Sequence, residues 1–177
     1  TPTDFAYIAD VDGVYEDDIG PRSLGLKSDL IYGGLSLDEA TALTRSIRPG
    51  GVLVGEFNSL ASPTSREARL TLEEAFGVRW TGWIGRYFTF LDLTVDLPLW
   101  IPRTWKRQTG RRWDFRGPGY IFVSERGELV VLVEGIDTPP GAVTINFTSD
   151  AADRYGTART HVWDNWFDIV ETKPGTE

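Results

Sequence analysis

The sequence predicts an α/β fold, with a parallel sheet in the N-terminal half and an antiparallel β annex in the C-terminal half. Short apolar runs alternate with helical patterns up to residue 77, as in strand–helix–strand units whose strands run parallel. Further along the chain, β-rich runs separated by turn residues replace that alternation. Since 177 residues suit one domain, residues 1–177 are predicted to form a single domain, and whether they are a fragment of a longer polypeptide is left open.

The first predicted strand is Phe5 to Ala9, an apolar run that ends before an aspartate, as is typical of a buried parallel strand. The stretch from Asp10 to Leu30 is rich in Gly, Asp and Pro and is predicted to be a loop. Ser36-Leu37-Asp38-Glu39 is a capping box and predicts a helix start. Apolar residues then recur at helical spacing up to Ile47, and Pro49-Gly50-Gly51 is expected to end the helix.

Val52-Leu53-Val54 follows as a second predicted buried strand. Thr64-Ser65-Arg66-Glu67 is a second capping box, and the helix that it opens is expected to end at Gly77. Because the carboxyl ends of parallel strands meet at one edge of a sheet, ligands usually bind beyond that edge. The polar side chains expected there are Asp10, Asp12, Glu56 and Asn58.

The C-terminal half is predicted to be mainly β. Tyr120 to Ser124 and Leu129 to Val133 flank Glu125-Arg126-Gly127-Glu128, which indicates a hairpin. Ala142 to Thr148 alternates between apolar and polar residues and is predicted to be a half-buried strand. Trp163 to Val170 is predicted to be one further short strand.

Composition excludes several classes of function. The net charge of −8 and the pI near 4.7 argue against general nucleic-acid binding. The absence of cysteine excludes thiolate metal sites and a cysteine nucleophile, and a single histidine excludes a multi-histidine metal site. No apolar run is long enough for a membrane span. An extracytoplasmic location is slightly favoured over a cytoplasmic one, and the oligomeric state is left open.

Asp10-Val11-Asp12-Gly13-Val14 resembles the first motif of haloacid dehalogenase-like phosphotransferases. The resemblance implies that the first aspartate attacks phosphorus, that the second handles the leaving group's proton, and that Mg²⁺ is held by Asp10 and Asp12. The alternative is a solvated acidic loop that follows a strand. An Mg²⁺-dependent phosphohydrolase is therefore one predicted function, while the leading prediction requires no cofactor.

The densest aromatic segment runs from Trp80 to Phe88. Its tryptophans, Trp80 and Trp83, offer ring faces that suit a sugar, and Arg86 can donate two hydrogen bonds to an anion. The alternative is that these tryptophans cover the core and that Arg86 pairs internally. The ligand-binding residues predicted from this segment and from the sheet edge are Asp10, Tyr15, Glu56, Asn58, Trp80, Trp83, Arg86 and Tyr87.

A basic segment holds six of the 18 basic residues within 14 positions, interleaved with Trp105 and Trp113. Such a segment suits an anionic polymer or lipid headgroups, although a run of charge is also typical of a solvated face. Its basic residues are Arg103, Lys106, Arg107, Arg111, Arg112 and Arg116.

The N-terminal half resembles class I glutamine amidotransferase-like domains, and among these the non-amidotransferase branch similar to trehalose-utilisation-type proteins. The resemblance is carried by Ile8-Ala9-Asp10, by the helix start from Gly33 to Glu39, by the helix-to-strand passage from Ser46 to Val54, and by Phe76-Gly77-Val78. It implies a flavodoxin-like three-layer sandwich. Amidotransferases need a Cys–His–Glu triad, so a chain without cysteine is expected to lack that activity.

Further motifs resemble an uncharacterised bacterial family. They are Gly13-Val14-Tyr15, Tyr32-Gly33-Gly34-Leu35, Glu56-Phe57-Asn58, Ala61-Ser62-Pro63-Thr64, the segment from Trp80 to Phe88, Trp113-Asp114-Phe115, Gly117-Pro118-Gly119 and Trp166-Phe167-Asp168-Ile169-Val170. The leading hypothesis is a domain that binds a small molecule or glycan at the carboxyl edge of its sheet. The alternatives are the phosphohydrolase and an assembly domain of a larger exported protein.

Overall fold

The computed structural model describes residues 2–19, 28–92 and 97–175. Of these described residues, 26% are helix and 37% strand, so the fold is mixed α/β, as the sequence predicts at this level. In chain order the elements are β1 Thr3–Ile8, β2 Gly13–Tyr15, α1 Glu16–Ile19, β3 Leu30–Gly33, α2 Leu37–Ser46, β4 Ile47–Gly55, α3 Arg66–Phe76, β5 Val78–Phe88, α4 Trp100–Thr109, β6 Gly119–Ser124, β7 Leu129–Val133, β8 Val143–Asn146, α5 Ser149–Tyr155, β9 Thr160–Trp163 and β10 Phe167–Thr172. Among these helices, none is long and apolar enough to cross a membrane.

The described strands form four small sheets. β1 pairs with β4 in parallel, which confirms the parallel pairing predicted for the N-terminal half. β2 pairs with β3 and β8 pairs with β9, both antiparallel. The fourth sheet has the order β10-β5-β6-β7, in which β6 and β7 are the hairpin that the sequence predicts.

The chain divides into two compact units. The first unit comprises residues 1–84, 123–128 and 167–177, and the second comprises residues 85–122 and 129–166.

The core of the first unit forms where α2 and α3 pack against one face of β1 and β4. Ile8 from β1, Ala40 from α2 and Leu72 from α3 are its buried members, with Leu53 of β4 packed against them. The capping box that begins α2 is present, with Ser36 accepting from the backbone N–H of Glu39 and the Glu39 carboxylate accepting from that of Ser36. The bonds that the Glu39 carboxylate accepts from the backbone N–H and then from the hydroxyl of Ser36 lower the pKa of Glu39, because they stabilise its charged form.

Three local predictions for the first unit are wrong in detail. α2 ends at Ser46, so Ile47 to Gly51 already belongs to β4. α3 is capped by Ser65 rather than Thr64, because the Thr64 hydroxyl donates to the backbone oxygen of Asn58 at 3.3 Å. β1 is not buried along its length, since its residues alternate between a core face and an exposed face.

The second unit is built around α4 and the strands beside it. Its buried residues include Leu91, Ile101, Ile121 and Leu129. Gln108 near the end of α4 fastens the helix to β7: its side-chain amide donates to the backbone oxygen of Leu129 at 2.9 Å and accepts from the backbone N–H of Leu129 at 2.8 Å.

The C-terminal half contains more elements than its sequence predicts. Trp163 to Val170 is not one strand, because β9 ends at Trp163 and β10 begins at Phe167. The predicted strand from Ala142 to Thr148 is present as the shorter β8, followed directly by the unpredicted α5. The aromatic segment from Trp80 to Phe88 lies in the eleven-residue strand β5.

The loop predicted from Asp10 to Leu30 contains β2 and α1, while its residues 20–27 lie outside the described part.

Gly34 and Gly50 both have φ near +80°, so a side chain at either position would suffer the same backbone strain. Only Gly34 also lies against another backbone segment. A Cβ at Gly34 would lie 2.1 Å from the backbone oxygen of Pro63, whereas a Cβ at Gly50 would meet nothing within 4 Å. We expect Gly50→Ala to lower the free energy of unfolding by about 1–2 kcal/mol, through left-handed strain alone. Gly34→Ala should cost at least about 2 kcal/mol more, because it adds a clash with backbone. Urea unfolding of both variants tests this, and equal losses would contradict the close approach.

Candidate functional site

The carboxyl ends of β1 and β4 lie side by side, and the predicted polar residues follow them. Ile8 is the register partner of Gly55, and the backbone N–H of Glu56 donates to the oxygen of Ile8 at 3.0 Å. The parallel pairing therefore places Asp10, two residues beyond β1, beside Glu56, one residue beyond β4. This juxtaposition was predicted from the strand order.

The Glu56 carboxylate joins the two strand ends. One of its oxygens accepts from the Tyr7 hydroxyl, and the other accepts from the backbone N–H of Asp10 at 2.9 Å. The bond to Glu56 is the main cause that raises the pKa of Tyr7, with smaller effects from desolvation and from the charge of Glu56. The Tyr7 side chain is thus a neutral donor at physiological pH.

Asn58 completes the network from the turn after β4. Its backbone is left-handed, with φ of 67°, a conformation that asparagine tolerates better than most residues. Its side-chain amide donates to Oδ1 of Asp10 at 3.0 Å. Asp10, Glu56 and Asn58, all predicted as ligand-binding residues, therefore belong to one hydrogen-bonded group.

Tyr15, the fourth residue predicted for this edge, contacts the loop that follows Asn58. Its hydroxyl lies 2.8 Å from the hydroxyl of Ser62. Gly13 and Gly34 approach Pro63 so closely that a Cβ on either would clash with it. The antiparallel pair β2–β3 is therefore held against this loop, which positions Tyr15 through Ser62 rather than through Asp10 or Glu56.

An exposed aromatic pair beside this network was not predicted. Phe5 and Tyr7 stack with their ring centroids 6.4 Å apart, and their side chains are 56% and 51% exposed. They share the face of the sheet opposite Ile8, because strand residues alternate between faces. The two-residue spacing of Phe5 and Tyr7 indicates that both lie on one face of a strand. The apolar run that contains them instead predicts a strand buried on both faces.

Trp80 is buried in the core of the first unit rather than exposed at the sheet edge. It is only 8% exposed, its backbone N–H donates to the buried carboxylate of Glu73 at 3.1 Å, and Arg69 lies over its ring. Its indole N–H donates to the backbone oxygen of Trp83 at 3.2 Å. These contacts match the core-covering alternative for Trp80, while Trp83 is half-buried.

Arg86 and Tyr87 belong to the second unit, where they make local contacts. The Arg86 guanidinium lies 4.9 Å from the ring centroid of Phe88, and its buried Nε has no hydrogen-bond partner among the described residues. The Tyr87 hydroxyl donates to Glu134 at 2.7 Å. That bond, followed by desolvation and the charges of Glu134 and Tyr120, raises the pKa of Tyr87 to about 12.

The side chain of Asp12 is exposed, and its backbone oxygen accepts from the N–H of Gly34 at 3.0 Å. Within the described ranges, no group of three or more His, Cys, Asp or Glu side chains is arranged to hold a metal ion. Asp10 and Asp12 alone would have to supply the protein ligands for Mg²⁺. The phosphohydrolase with Mg²⁺ as cofactor stays a prediction.

Asp168 is a half-buried acidic residue in the first unit. Burial raises the pKa of Asp168 to about 6, and the Trp80 side chain, which lowers this pKa, offsets only part of the effect. One carboxylate oxygen, Oδ1, is buried with no hydrogen-bond partner in the described structure. A carboxylate in this position is poorly solvated, so its ionisation opposes folding.

Comparison of the chain with protein-family models, with curated proteins and with solved structures gives no match.

Asp168 predicts a pH-dependent stability. Its pKa in the folded state, about 6, lies above the ordinary value of 3.8, so ionisation destabilises the fold as pH rises from about 4 past 6. At pH 8 we expect Asp168→Asn to be more stable than the wild type, by on the order of 3 kcal/mol at most. The advantage should shrink as pH falls toward 4. Thermal unfolding across this range measures it.

Asp164→Asn is the matched control, because it removes an exposed carboxylate four positions away. A similar pH-dependent gain in both variants would show that net charge, rather than burial of Asp168, is the cause.

Proposed function

We propose that the first unit binds a hydroxyl-rich small molecule, of which a glycan is the best example, at the carboxyl edge of β1 and β4. The observation that carries the proposal is the stacked, half-exposed pair Phe5 and Tyr7, whose tyrosine is bonded to the carboxylate group at the strand ends. Ligand sites combine apolar surface with a few convergent polar groups, and this edge offers both.

The chemistry of the edge favours hydroxyl groups over anions. Asp10 and Glu56 place two carboxylates there, which would repel a phosphate or a carboxylate ligand. Only one oxygen of Asp10 is bonded to Asn58, and its other oxygen has no partner among the described residues, so it can accept from a ligand hydroxyl. Aromatic faces such as that of Tyr7 pack against the apolar face of a sugar ring.

The proposed site differs from the sequence hypothesis in its aromatic platform. Phe5 and Tyr7 take the place of Trp80 and Trp83, because Trp80 belongs to the core. Arg86 and Tyr87, in the other unit, are not needed for the proposed contacts. The amidotransferase-like arrangement is retained as a proposal only for the parallel pair β1–β4 with α2 and α3 packed on one face. The opposite face carries the exposed Phe5 and Tyr7 and lacks, among the described residues, the cover that a third layer would provide.

The test is binding of four neutral oligosaccharides: trehalose, maltotetraose, cellotetraose and chitotetraose. Binding is detected first by ligand-observed NMR and then quantified by titration calorimetry. We expect at least one to bind, with Tyr7→Ala and Asp10→Asn each weakening binding about tenfold, as expected for loss of one well-placed contact. Tyr155→Ala is the control, since Tyr155 is an equally exposed tyrosine in the second unit, at 59%.

No binding by any of the four sugars would overturn the glycan proposal. Binding that Tyr155→Ala weakens as much as Tyr7→Ala would show that the sugar does not bind at this edge. Unfolding curves of each variant separate loss of binding from loss of structure.

A further inference from the structure

We propose that the second unit docks on a bilayer surface rich in anionic phospholipid headgroups, through a cationic face built on α4 and the segment after it. We call this face the basic platform. Its residues are Lys106, Arg107, Arg111, Arg112 and Arg116.

The cationic side chains of the basic platform are exposed and are not paired with carboxylates of the described residues. All five side chains are exposed, and none forms an ion pair within the described part of the chain. The five ion pairs among described residues all join residues of the first unit. Asp114 is the one acidic residue between positions 103 and 116. A concentration of unpaired cations in a chain of net charge −8 marks a surface suited to an anionic partner.

Aromatic contacts hold the two parts of the basic platform together, namely α4 and the segment after it. The ring of Trp105 on α4 contacts those of Trp113 and Phe115 edge to face, at centroid distances of 6.1 and 5.0 Å. The Trp113 indole donates to the backbone oxygen of Leu91 at 2.6 Å. These contacts tie the arginines of the extended segment to the helix that bears Lys106 and Arg107.

The helix itself orients the remaining two cations. Positions 103, 106 and 107 of α4 are three and four residues apart and so share one face. Ile101 and Thr104 are buried on the other side. Lys106 and Arg107 also lie in the last turn of the helix, where its dipole favours positive charge.

The surroundings favour a membrane surface over nucleic acid. The rings of Trp105, Trp113 and Phe115 are engaged with one another, so they are not free to stack on bases, as single-strand binders require. Leu99, at the start of α4, and Phe90 are 69% and 53% exposed. The unit that carries the basic platform thus also exposes apolar side chains, which suit the boundary between headgroups and acyl chains.

The experiment is cosedimentation of the full chain with vesicles made of equal parts phosphatidylglycerol and phosphatidylcholine, compared with phosphatidylcholine alone. We expect binding only to the anionic vesicles, weakening as salt rises. Arg111→Gln combined with Arg112→Gln should lower the partition coefficient about thirtyfold, since each basic residue at an anionic surface contributes about five- to sixfold. Arg126→Gln combined with Arg159→Gln removes two exposed arginines elsewhere and should leave most binding intact.

Equal binding to both vesicle types, or no binding to either, would overturn the proposal. So would equal losses in the two double variants, because the effect would then follow total charge rather than the platform. Tighter binding to polyadenylate or duplex DNA than to the vesicles at the same salt would reassign the platform to nucleic acid. None of these outcomes bears on the sugar experiment, which concerns residues of the first unit.

Discussion

The parallel pairing of β1 with β4 is the constraint on which the candidate site depends. Parallel strands end at the same edge, so Asp10 and Glu56 meet although 45 residues separate them. A crossover long enough to reverse the chain is needed between such strands, and α2 lies in it. The left-handed turn at Asn58 then directs an amide back toward Asp10. If the pairing register changed by one residue, every side chain of β1 would move to the opposite face.

The sequence predicts the polar network at the strand ends better than the aromatic surface beside it, because capping and strand order are local or topological signals. Ser36 and Glu39 specify the start of α2 within four residues, and the alternation of strands and helices brings Asp10 to Glu56. The cap of α3 shifts from Thr64 to Ser65 because the Thr64 hydroxyl bonds to Asn58, a tertiary contact that propensity does not contain. The burial of Trp80 likewise depends on α3, through Arg69 and Glu73. The ligand contacts themselves stay predictions.

The two units satisfy their charged groups differently. In the first unit, Arg69 reaches Glu125 at 3.1 Å, and Arg79 and Lys173 pair with Glu171 and Glu74 across the surface. Exposed pairs of this kind contribute little to stability, but they leave few free cations. In the second unit the aromatic cluster around Trp105 supplies the packing, and the five cations of the basic platform form no ion pair within the described part of the chain. Stability and surface charge are therefore separable in the second unit, where a platform arginine can be changed without touching the core.

Gln108, besides fastening α4 to β7, covers part of the outer edge of that strand. β7 is the last strand in its sheet order, and an outer strand presents free N–H and C=O groups to any passing chain. The Gln108 amide bonds to both backbone groups of Leu129 and so imitates the strand that would otherwise add there. Deamidation to glutamate would replace the donor with a second acceptor facing a carbonyl oxygen. A slow chemical change in one side chain would thereby expose the start of a β-sheet edge, in a molecule whose fold is otherwise intact.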